Sequence, residues 1–203
     1  MKNRFMKDYF NTIKKLDSYD YLKGYLIFYS SQTIDGIKPA TVISLAKTGK
    51  NEYRTFQEYK EKIEVDLDIK TFVLKERESS ATIIIYNEDS LKDSLFENNN
   101  KAFLKRFGYT KCVTLKDYLN VLKTRFNLSN LCPHEIGIFL GYPLNEIKTY
   151  INCPNKECIF YGYWKVYHDI DLAKVIFRKY DKIKYTMMAE FLNLIEKDLE
   201  IAV

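Results

Sequence analysis

The stretch IKTFVLKERESSATIIIYN, from Ile69 to Asn87, constrains the fold more than any other part of the chain. Two runs rich in Val, Ile, Thr and Phe flank the polar Glu78-Ser79-Ser80, which is the pattern of two strands joined by a tight turn. A hairpin forces antiparallel pairing, and this one lies between segments with helical periodicity. Helices and strands interleave without the regular alternation of a doubly wound parallel sheet. The fold class expected is therefore α+β, a small, mainly antiparallel sheet of about four strands packed by about eight helices.

Upstream of the hairpin, Phe5, Tyr9, Ile13 and Leu16 recur at helical spacing and predict an amphipathic first helix. GYLIFYSS, starting at Gly24, reads as a strand, and Pro39 to Leu45 as a short helix. Thr55 with Glu58 three residues later is a capping box, predicting a helix from about Phe56 to Ile63. Downstream, Asn87 can cap a helix carrying Leu91 and Leu95, and Gly108 can end the next. Thr114 then opens a helix with Leu115, Tyr118, Leu119, Leu122 and Phe126 on one face. ECIFYGYWKVYH predicts a late strand over 159–167, and the apolar spacing from Leu172 to Ile195 predicts one or two terminal helices. No repeat or Pro/Gly-rich linker interrupts the chain. Residues 1–203 read as a single domain, with an α/β portion over 1–100 that contains the hairpin 70–87 and a mainly helical portion over 101–203.

Composition excludes several classes. With 46% apolar and 15% aromatic residues in 203, the chain can bury a sizeable core. Met1 to Asp17 lacks a continuous hydrophobic region, and no apolar run approaches membrane-spanning length, so neither a secretory leader nor a membrane partner is expected. Four cysteines are too few for a disulfide scaffold, and reduced thiols in the cytoplasm are expected. The net charge of +5 is concentrated: Lys101, Lys105, Arg106, Lys111, Lys116, Lys123 and Arg125 face only Asp117 before His134. Such a block is either a solvated surface or a patch for phosphate or an acidic partner. The seven glycines are too dispersed for a phosphate-cradling loop.

The segment CPHEIGIFLGYPLNEIKTYI, Cys132 to Ile151, carries the chemistry that is least generic. Proline favours the first helical position, which predicts a two-turn helix from Pro133 with Cys132 as its N-cap and Gly141 at its end. On that helix Ile136, Phe139 and Leu140 share one face, while His134, Gly137 and Gly141 share the other. The second face is a bare glycine surface beside one imidazole, which another side chain or a ligand can approach closely. In GYWKVY, strand alternation places Tyr163, Lys165 and Tyr167 on one face and Trp164 on the other. The ligand-binding set expected is thus His134, Glu135, Gly137, Gly141, Tyr163, Lys165 and Tyr167. Glu135 has a purely structural alternative as a capping residue.

Two further readings compete. Cys158 and His134, with Cys153 and Cys132, are chemically suited to hold zinc or iron. A cysteine at a helix N-terminus also favours its thiolate, but glutamate at position 135 leaves Cys132-Pro133-His134 without the second cysteine of a thiol–disulfide motif. Residues 136–151 have the spacing of a DNA-binding helix-turn-helix, although Asn145, Glu146, Lys148 and Thr149 offer DNA a single cation. No complete set of nucleophile, base and orienting group can be assembled.

PHEIGIFLGYPLNEIKTYI, GYWKVYHDIDLAKVIFRKY and IDGIKPATVISL together resemble a family of uncharacterised proteins from Clostridia and related Firmicutes, a domain of unknown function, over roughly Leu22 to Leu192. In such proteins a cysteine is frequent at the position of Cys158, whereas the position of Cys132 is usually aromatic or aliphatic. The resemblance implies an accessory role near redox or iron proteins and brings no catalytic residues. The function expected is an accessory protein that binds a small molecule, or a protein partner, where the PHEIG helix start meets the GYWKVY strand.

Overall fold

The computed structural model describes residues 2–128 and 132–201. The first helix, α1 (Lys2–Ile13), buries Tyr9 and Ile13, and Tyr9 Oη donates to the Gly24 carbonyl at 2.8 Å. Gly24 belongs to α2 (Ser18–Ile34), which starts at Asp17, whose carboxylate accepts the Asp20 N–H at 2.9 Å. GYLIFYSS is therefore helical and not a strand. The reason is burial on all sides: Leu22, Leu26, Ile27, Ser30 and Ser31 are enclosed, so α2 lacks the polar stripe that would reveal its period.

The segment expected as a short helix from Pro39 is instead β1 (Ala40–Ala46), whose Thr41, Val42 and Ile43 suit a pleated surface. Next, α3 (Glu52–Asp66) starts at Asn51, whose side chain accepts the Arg54 N–H at 3.1 Å, ahead of the Thr55 capping box. The hairpin forms as expected from β2 (Lys70–Glu76) and β3 (Ser80–Tyr86). Asn87 caps α4 (Glu88–Phe96) by accepting the Ser90 N–H at 3.1 Å. After α5 (Asn98–Leu104), two single-turn 3-10 helices meet at Gly108. Thr114 and Asp117 then cap α6 (Leu115–Leu128) reciprocally.

The three strands form an antiparallel sheet in the order β1-β3-β2, with Ile43 and Val73 both registered on Ile83. Central β3 is buried on both faces, which accounts for its unbroken Ile83-Ile84-Ile85 run. Ile83 and Ile85 join a core built with Leu22, Leu26, Phe56 and Phe191, whereas Ile84 joins a second core with Leu95, Leu119 and Phe139. The sheet thus separates two helical layers, and α+β describes the fold.

The second layer continues into α7 (Ile136–Phe139) and α8 (Leu144–Asn152). The late strand is corrected to a tight hairpin, β4 (Phe160–Tyr161) against β5 (Lys165–Val166), with Gly162, Tyr163 and Trp164 in the turn. A Cβ at Gly162 would overlap the Phe177 ring, so glycine lets the turn lie flat on the last helix, α9 (Ile170–Ile201). Trp164 meets Phe177 edge to face at 4.5 Å between ring centres, and Val166, Ala173 and Tyr180 complete this third apolar cluster. Among the described residues, no helix is long and apolar enough to cross a membrane.

Candidate functional site

Glu135 anchors the segment that enters the site. Its side chain is 0% exposed, and its carboxylate accepts from Arg125 Nε, from Arg125 Nη2 at 3.1 Å and from Tyr109 Oη at 3.3 Å. An ion pair this enclosed fixes position, because leaving either charge alone there is costly. Glu135 thus ties α6 to the start of α7 as an internal strut.

The helix expected from Pro133 is shorter than its sequence suggested. His134 and Glu135 form a turn, and α7 spans only four residues from Ile136. Cys132 therefore stands outside any helix start and receives no dipole assistance. Burial and the nearby Glu135 charge push its thiol up rather than down, away from a reactive thiolate. Gly141 does end the helix, at φ +72°, with Tyr142 N–H donating to the Gly137 carbonyl at 2.8 Å and Gly141 N–H to the Ile138 carbonyl at 3.0 Å.

The glycine face is filled. A Cβ on Gly137 would lie 2.8 Å from Ile147 Cγ1, and one on Gly141 would lie 2.5 Å from Pro39 Cδ. Ile147 of α8 and Pro39 ahead of β1 are the close approaches that the missing side chains permit.

Beside that packed surface lies a cleft of about 290 Å³. Ile136, Gly137 and Ile147 give it an apolar floor, and Tyr142, Tyr150, Tyr163 and Trp164 surround it with rings. The Tyr142 and Trp164 ring centres are 5.5 Å apart. At the mouth, His134 lies 5.0 Å from Tyr150 between ring centres, and Lys165 Nζ sits 5.3 Å from the same ring. Burial, with Tyr180 and Cys132 nearby, pushes the Tyr142 hydroxyl up to about 12, so it stays protonated as a donor. Tyr163 is held from behind: Gln32 Nε2 donates to its oxygen at 3.1 Å, and its hydroxyl donates to Asp181 at 3.1 Å.

Of the residues expected from sequence, His134, Gly137, Tyr163 and Lys165 line this cleft. Glu135, Gly141 and Tyr167 do not. Tyr167 is 7% exposed and is tied down by its N–H, which donates to Glu146 Oε2 at 2.7 Å. The hairpin turn explains its absence, because a turn after Tyr161 breaks the alternation that would have kept Tyr163, Lys165 and Tyr167 together. Cys132 lines the cleft, but Cys153 and Cys158 do not join it. All four cysteines are free thiols, and among the described residues no group of three or more His, Cys, Asp or Glu is placed to hold a metal ion.

The α7–α8 pair has a helix-turn-helix outline, yet the hairpin lies across α8. Glu146 and Ile147 are buried, and Thr149 Oγ1 is hydrogen-bonded to His168 Nε2 at 2.7 Å. In the basic block, Arg106, Lys123 and Arg125 each rest against an aromatic ring, at 5.3, 5.6 and 5.4 Å from its centre.

Tyr142, Glu146 and Tyr150 were not anticipated. Their spacing of four residues places them on one side of α8 and the turn before it, a signal that was available in the sequence. No curated protein and no solved structure matches the chain. The model of the family described as "Protein of unknown function (DUF3793)" matches residues 26–199, and the chain belongs to that family.

Proposed function

We propose that this protein binds a small organic molecule in the cleft between the α7–α8 pair and the β4–β5 hairpin, as a cytoplasmic binding or accessory protein. The observation that carries this reading is a preformed cleft of about 290 Å³ whose four aromatic side chains come from three separate places in the chain. Sites for small ligands are typically of this kind, concave and mostly apolar with a few polar groups to orient the guest. The reading stops at binding, because the thiol in the wall is pushed away from its reactive form. Association with redox or iron proteins rests on the family resemblance alone.

Native mass spectrometry with elemental analysis on untagged protein tests the proposal. The expected result is a metal-free chain carrying one noncovalently bound small molecule, released on unfolding. Bound zinc or iron in a one-to-one ratio would replace this reading with the metal-site one. Bare protein that also takes up no aromatic probe would remove the proposal.

A further inference from the structure

Residues 101–125 hold seven basic residues and one acid, which leaves 25 basic against 26 acidic residues in the rest of the chain. This one segment therefore carries the whole net charge of +5, far from the even spread of an ordinary solvated surface. The fold gathers it further, because α5, the two 3-10 turns and the start of α6 pack on one another. Phe103, Leu104, Tyr109 and Cys112 turn inward to the second core, so the intervening Lys105, Arg106 and Lys111 stand outward, with Lys116 exposed at the start of α6. Among the described residues these four cations form no ion pair. The two acids at the edges are engaged: Asp117 accepts the Val113 and Thr114 N–H groups, and Glu97 accepts that of Asn100. Along α6 the exposed face continues as Lys116, Asn120, Lys123 and Thr124, about 10 Å of lysine and neutral donors.

We propose that this corner binds the phosphate backbone of duplex nucleic acid without reading its sequence, a role separate from the cleft. The choice of partner follows from what accompanies the charge. Cores of protein interfaces are depleted in lysine and enriched in aromatic residues, whereas here lysine dominates and the Phe103 and Tyr109 rings are buried. Single strands are held by bases stacked on exposed rings, which this corner lacks among the described residues. A membrane surface would call for an apolar insertion, and Val113 is the one large apolar side chain exposed between Lys101 and Arg125. Lysine, asparagine and threonine are the donors that reach phosphate oxygens, contacts that position a duplex and carry no sequence information. Base readout is not on offer from α8, which lies under the β4–β5 hairpin with Glu146 and Ile147 buried.

The test follows the anisotropy of labelled duplexes of two unrelated sequences as salt is raised from about 50 to 200 mM. Both should bind alike, and with about four to five phosphates neutralised log K should fall against log salt with a slope of about −4, a loss of roughly 250-fold over that range. Changing Lys105→Gln, Lys111→Gln and Lys116→Gln together should flatten the slope by about three. The control changes Lys156→Gln, Lys179→Gln and Lys182→Gln, exposed lysines outside the corner, and should leave the slope as it was. Equal weakening by the two triple variants overturns the proposal, since net charge alone would then account for binding. Tighter binding to phosphatidylserine vesicles or to polyglutamate than to duplex also overturns it, in favour of a membrane or an acidic protein. No binding by wild type at the lowest salt overturns it outright. If the first triple variant fails to fold, the wild-type slope and the comparison with vesicles and polyglutamate decide.

Discussion

Replacing Arg125 with methionine should destabilise the protein far more than neutralising its partner. Glu135 is wholly buried and, among the described residues, takes two of its three hydrogen bonds from Arg125, so Arg125→Met leaves it there with only the Tyr109 hydroxyl. An uncompensated buried charge of this kind costs about 3–5 kcal/mol. For a chain of this size that corresponds to a fall in Tm of roughly 6–20 °C. Glu135→Gln is the contrasting case. The Arg125 side chain is 33% exposed and can recover water, so the loss should be only about 1–2 kcal/mol. Urea unfolding of both single variants and the double variant gives the stabilities and the coupling between the two positions. A value for Arg125→Met within about 0.5 kcal/mol of wild type would refute the claim that this pair fixes the entry to α7.

Other outcomes follow from the same geometry. Gly141→Ala should cost on the order of 3 kcal/mol in urea unfolding, combining a left-handed backbone at φ +72° with a Cβ placed 2.5 Å from Pro39 Cδ. Lys38 is 7% exposed, among the described residues its Nζ donates only to Thr41 Oγ1 at 3.3 Å, and burial lowers its amine to about 8. The unfolded chain keeps that proton up to its ordinary range near 10.5, so the penalty is fully present below about 8 and is relieved as pH rises from there. Wild type should therefore gain up to roughly 3 kcal/mol across that interval, and Lys38→Met should be more stable at neutral pH with a flatter profile. Urea midpoints at neutral and moderately alkaline pH measure both effects, and parallel profiles for the two proteins would count against them.

The β2–β3 hairpin was legible because its two runs are β-branched and its turn is polar, and α6 because Tyr118, Leu119, Leu122 and Phe126 keep one face. What misled was burial on every side. In α2 it erased the polar stripe, so a continuous apolar run looked like a strand, and in β1 the strand is identified by pairing with β3, which is nonlocal. At the site, His134, Gly137, Tyr163 and Lys165 were readable as a neighbourhood from proline, glycine and aromatic placement. The ion pair and hydrogen bond that hold Glu135 could not be read from its neighbourhood, because its partners, Arg125 and Tyr109, lie 10 and 26 residues away in sequence. The close covers over Gly137 and Gly141 came from Ile147 and Pro39, and Pro39 is far from that segment in the chain. Glu146 went unrecognised because its burial depends on how the hairpin folds back over α8.

The central claim is that the cleft beside Trp164 is open to a small guest, and the indole N–H of this single tryptophan reports on it most directly. In a 1H–15N spectrum of labelled protein titrated with benzyl alcohol, the one indole cross-peak should move saturably, together with backbone peaks from 136–150 and 163–165. An indole peak that stays fixed while shifts appear elsewhere on the molecule, or nowhere, would contradict the account.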